Sequence, residues 1–75
     1  MGAMRWMGRL ERRTVVVHMA SGASVRGVVI GVYRDSVVLR HSTYLGPQAT
    51  EIDGDVVIPR PNVAWVQTLP EGEQP

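Results

Sequence analysis

Two histidines, His18 and His41, and no cysteine leave this 75-residue chain few groups for covalent or acid–base chemistry. Without thiols there is no sulfur nucleophile, no disulfide frame and no thiolate-built zinc site. No two carboxylates are spaced for paired general acid and base work. Asp53 and Asp55 flank Gly54, which reads as a turn, and a metal site there would need a histidine delivered by the fold. His18 falls in a run of alternating exposure and reads as a solvent-facing or rim residue. His41 follows Arg40 and reads the same way, with stacking on a nucleobase as the sharper alternative. The expectation is a non-enzyme with no catalytic residue, no metal and no cofactor.

Binding chemistry is better supplied. Two short polar segments stand out, Tyr33-Arg34-Asp35-Ser36 and Pro59-Arg60-Pro61. Aromatic stacking combined with arginine–phosphate contact is a general way of holding single-stranded nucleic acid; the plain alternative is a pair of solvated turns. All eight basic residues are arginine, and seven acidic residues bring the net charge to +1. Arginine-only usage fits codon bias as well as bidentate phosphate contact, so charge alone names no partner. Trp6 and Trp65 read as packing residues, with Trp65 at a core or subunit contact.

The elements that must position these groups form one small domain, residues 1–75. Met4 to Arg13 places Trp6, Met7 and Leu10 on one side among arginines, which predicts a short amphipathic N-terminal helix over 4–13. From Thr14 the composition changes: 13 valines lie between Val15 and Val66, and β-branched runs alternate with turn residues. The expected fold is all-β, a five-stranded, strongly bent antiparallel barrel over 14–69. Its strands are Thr14 to Met19, Ser24 to Tyr33, Ser36 to Ser42, Asp55 to Ile58 and Val63 to Leu69. A turn lies at Ala20 to Ala23, and a loop carries Leu45-Gly46-Pro47 and Asp53-Gly54. In strand 2 the apolar parity changes near Gly31, and Gly27 and Gly31 permit the bend that curls the sheet. The tail, 70–75, has no apolar side chain and is expected to be mobile.

No apolar run approaches the roughly 20 residues that cross a bilayer, so no membrane partner is expected. The N-terminal stretch lacks an apolar segment of the signal-peptide kind, and the expected location is cytoplasmic. A single core of this size is marginal, so added stability is expected from association.

Val25-Arg26-Gly27-Val28-Val29, then Val32 and Val37-Val38-Leu39, followed later by Gly54-Asp55-Val56-Val57-Ile58-Pro59-Arg60-Pro61-Asn62-Val63, resembles the two-part motif of the Sm-like (LSm) family. The likeness covers about Thr14 to Leu69. It implies a homo-oligomeric ring, commonly a hexamer or heptamer, in which the fourth strand of one subunit pairs with the fifth of the next. Subunit-interface residues would then be Val56, Val57, Ile58, Val63, Trp65 and Val66. Independently, these apolar strands would be exposed edges in an isolated barrel, and edge pairing around a closed ring removes that hazard.

The resemblance also implies that Tyr33, Arg34, Asp35, Ser36 and Arg60 converge on one ring face, where single-stranded RNA would bind. The motif departs from the family there. Tyr33 falls where the family has Asp, Ser36 is nearest its Asn, and Pro59 and Arg60 stand where it has Arg and Gly. Two readings stay open: an RNA-binding ring, or a structural or assembly ring of phage or scaffold type whose partner is protein.

Overall fold

The computed structural model describes residues 9–70. Six strands run in chain order: β1 (Thr14–Met19), β2 (Ser24–Val32), β3 (Ser36–Leu45), β4 (Ala49–Ile52), β5 (Val56–Pro59) and β6 (Val63–Thr68). A 3₁₀ turn, Arg60–Asn62, joins the last two. All pairings are antiparallel, in the order β4-β3-β2-β1-β6, with β5 also paired to β3.

The expectation of five strands is corrected to six, and the register explains how. β4 pairs with the second half of β3, from Ser42↔Ile52 to Leu45↔Ala49, while β5 pairs with its first half, from Leu39↔Val56 to Ser36↔Pro59. The expected loop and fourth strand are thus two short strands lying end to end along one edge of β3. They are separated at Asp53-Gly54-Asp55, where Gly54 takes φ 80°. β3 accordingly runs on past Ser42 to Leu45.

The expected N-terminal helix is corrected as well. Met4 to Gly8 lie outside the described residues, as does Trp6 with them. From Arg9 on there is no α-helix: Arg9 and Leu10 form a 3₁₀ turn, and the Arg13 amide donates to the Leu10 carbonyl at 2.8 Å. Arg12 then adopts φ 68°, and the backbone here is committed to β2, with Arg12 N–H to Val29 O at 2.6 Å and Val29 N–H to Arg13 O at 3.0 Å. Hydrogen bonds given to the sheet are lost to a helix. Of the tail expected at 70–75, residues 71–75 lie outside the described residues.

The core gathers Leu10, Val15, Val17, Val25, Val29, Val37, Leu39 and Ile58, with Met19, Val32, Ile52, Val56, Val63 and Val66 packed against it. Burying each such aliphatic side chain is worth about 1.5–3 kcal/mol. β2 shows the period of a half-buried strand, with Val25, Gly27, Val29 and Gly31 buried and residues between them more exposed. Its bend is real and sits at two irregularities of the β2–β3 register, Arg26/Val28 and Val29/Gly31. At the first, Gly27 is indispensable: a Cβ there would stand 2.7 Å from Ser42 Oγ, 3.1 Å from Leu39 Cβ and 3.3 Å from Arg40 O. After the second, Val32 turns in toward the core. On the β3 side, Arg40 and His41 are exposed in succession, and His41 takes φ 55° where His41 and Ser42 together oppose Gly27 in a bulge. None of the described helical segments is long and apolar enough to cross a membrane.

Candidate functional site

The β2–β3 turn is closed by Tyr33 N–H to Ser36 O at 2.8 Å, leaving Arg34 and Asp35 at its tip. The Arg60 amide donates to the Asp35 carbonyl at 3.0 Å, and Ser36 faces Pro59 in the register. The two turns singled out in the sequence are therefore joined by their backbones, and Tyr33, Arg34, Asp35, Ser36 and Arg60 form one cluster. Its side chains are available. Tyr33 is 57% exposed, with its ring over Gly31, where an added Cβ would meet Cε2 at 2.7 Å. Arg34 and Asp35 are exposed, and among the described residues neither side chain has a hydrogen-bond or ion-pair partner. Arg60 is half-buried, and its Nε is buried without an acceptor, an unspent donor at the turn.

The six residues expected at a subunit contact divide into two groups. Ile58 is in the core, and Val56, Val63 and Val66 pack against it. Val57 and Trp65 are the outward ones, 61% and 57% exposed. They stand on the two sheet margins, since among the described residues β5 pairs only with β3 and β6 only with β1.

Sequence reasoning missed a cluster around His18. Its imidazole stacks on the Trp65 indole with centroids 3.7 Å apart and planes inclined by 10°. His18 faces Ser24 across one side of β1 and Trp65 across the other. Nδ1 lies 2.9 Å from Ser24 Oγ and Nε2 lies 3.3 Å from Gln67 Oε1. With the amide oxygen as acceptor, Nε2 carries the proton and the serine hydroxyl donates to Nδ1. Only the β1–β6 register brings these residues together, and no local spacing encodes it.

A cleft of about 440 Å³ opens beside the β3 bulge, between Arg40-His41-Ser42-Thr43 and Glu51-Ile52-Asp53-Gly54-Asp55. Arg40 is engaged there with Asp55, through Nε to Oδ1 at 3.0 Å and Nη2 to Oδ2 at 3.3 Å. The Asp55 carboxyl is held below its usual range, first by that hydrogen bond and then by the nearby positive charge, and the Arg40 guanidinium is raised in turn. Among the described residues no trio of histidine and carboxylate side chains could hold a metal ion.

Among solved structures, a heptameric archaeal Sm protein superposes with a TM-score of 0.78 at 15% identity, spanning 87% of this chain and 97% of that one. The fold is Sm-like. A chain in the crystal structure of the NatC complex bound to CoA shares it, with a TM-score of 0.71 at 19% identity over 81% of this chain and 80% of that one. The likeness is one of fold. No protein-family model matches the sequence, and no curated protein matches it.

Proposed function

We propose that this Sm-like chain is a non-enzymatic, cytoplasmic protein that closes into a homo-oligomeric ring and holds single-stranded RNA where the β2–β3 and β5–β6 turns meet. The observation that carries the RNA reading is the backbone hydrogen bond from Arg60 to Asp35, which gathers an exposed tyrosine and two arginines at one point. A tyrosine face for a base and guanidinium groups for phosphates are the two ingredients of sequence-tolerant single-strand binding. The ring reading is supported by the two margins, β5 and β6, that no other described strand covers, and by the exposed apolar Val57 on β5.

The test is binding of a labelled oligouridylate at several salt concentrations. Tyr33→Ala and Arg60→Ala should each weaken it by about fivefold or more, and Arg60→Ala should also lower the salt slope by about one. Equal affinity of both variants and the parent would refute the site. A second reading, an assembly ring whose partner is protein, draws support from the likeness to a chain of the NatC complex. In that case the oligonucleotide shows only weak attraction, equal in all variants.

A further inference from the structure

The outward side of β1 and β6 carries a second arrangement built for stacking, apart from the two turns. Trp65 is sandwiched on one side only: His18 covers one indole face at 3.7 Å, and the residue is nevertheless 57% exposed. The imidazole cannot swing away freely, because Ser24 and Gln67 engage both of its nitrogens. The indole is therefore a supported plate with a free face, and a ligand landing on it has little left to order.

The neighbours on this side of the sheet decide what kind of ligand suits it. Ser24, His18 and Trp65 form one cross-strand row, and Arg26, Val16 and Gln67 form the next. A dry protein contact would surround the tryptophan with apolar side chains. Here its own row carries a hydroxyl and an imidazole, Ser24 and His18, the next position outward on β6 a carboxamide, Gln67, and the guanidinium of Arg26 stands farther off, beyond the buried Val16. Arg26 is exposed and forms no ion pair among the described residues. From strand spacing and rise, its Cα lies about 12 Å from that of Trp65, a span that one nucleotide and an extended arginine side chain can bridge.

We propose that the free face of Trp65, backed by His18, is a stacking site for a base of single-stranded nucleic acid, with Arg26 meeting the adjoining phosphate. The site shares with the turn cluster only its class of ligand. It is compatible with a ring, because backbone pairing along the β6 edge leaves outward side chains beside the seam.

The experiment uses the full chain with Trp6→Phe, so that tryptophan emission reports on Trp65 alone, titrated with an oligoadenylate RNA. Saturable quenching is expected, and it should persist in the Tyr33→Ala/Arg60→Ala variant. Trp65→Leu should weaken binding of the labelled oligonucleotide about fivefold or more, while Trp65→Phe, which keeps a ring and guards against misfolding, should weaken it less. Arg26→Ala should reduce the salt slope by about one. Saturated binding with unchanged emission would overturn the proposal. So would quenching by the oligonucleotide that is seen only with single subunits and lost once the ring has formed, since a second copy would then be the occupant. Quenching that disappears with Tyr33 and Arg60 replaced would make Trp65 a reporter of the turn cluster and overturn a separate site, leaving the turn reading intact. Quenching that survives while those replacements leave affinity unchanged would do the reverse.

Discussion

At the scale of single residues, the tightest constraint is Gly27, over which β3 passes so closely that there is no room for a methyl group. Leu39 is fully buried in the core, and Arg40 O belongs to the backbone of β3 paired with β2, so neither gives way easily. Gly27→Ala should therefore destabilise the fold by about 1–3 kcal/mol, read as a lower urea midpoint. Ser42 Oγ, the nearest atom, is buried with no partner among the described residues. Ser42→Ala should be close to neutral or stabilising alone and should recover part of the Gly27→Ala loss, because it removes both a desolvated hydroxyl and the closest contact. An additive pair would show that the clash lies elsewhere. The Arg40–Asp55 pair is exposed and correspondingly weak. Since the Asp55 carboxyl sits below its ordinary 3.8, its contribution is complete above that value and is lost as pH falls through the lowered folded one. Asp55→Asn should accordingly lower stability slightly at neutral pH, with the difference from the parent vanishing in acid. A difference that grows in acid would contradict the assignment.

At the scale of elements, the strands that were legible are those whose side chains alternate or are continuously β-branched. β1 begins and ends where the valine run predicts, and β2 and β6 each stop one residue earlier. The bend of β2 was legible too, because Gly27 and Gly31 interrupt an otherwise apolar face. β4 was not, since Ala49-Thr50-Glu51 are all exposed and only Ile52 turns inward, so no apolar period marks the strand. What fixes it is its partner, the far half of β3, through non-local pairing. The N-terminal segment misled for a related reason: its amphipathic spacing suited a helix, but Arg12 and Arg13 are taken by β2. Of the candidate site, the turn residues were legible as types, and their meeting followed from the family resemblance. The His18–Trp65 stack depends on a register between residues 47 positions apart and left no trace in local spacing. The β5 margin offers a direct test of the assembly. Val57 is exposed, so Val57→Lys should leave the subunit folded while shifting its mass from ring to single subunits in light scattering. An unchanged mass would remove β5 from the interface.

For the whole molecule, the sheet order leaves β5 and β6 joined by a short 3₁₀ turn yet not hydrogen-bonded to each other, so the curled sheet is unclosed. Such a chain can bury its two margins against a second copy, head to tail, and the repeat ends only when the rotation closes. The turn cluster would then recur once per subunit, and weak individual contacts would add through effective concentration. In the proposed assembly ring and ligand would be linked: a single subunit would offer one tyrosine and two arginines, and a ring would offer a track. Native mass spectrometry of the purified protein, before and after nuclease treatment, tests this most directly. The expected result is one closed ring, its excess mass removed by nuclease. A single-subunit mass under the same gentle conditions would contradict it.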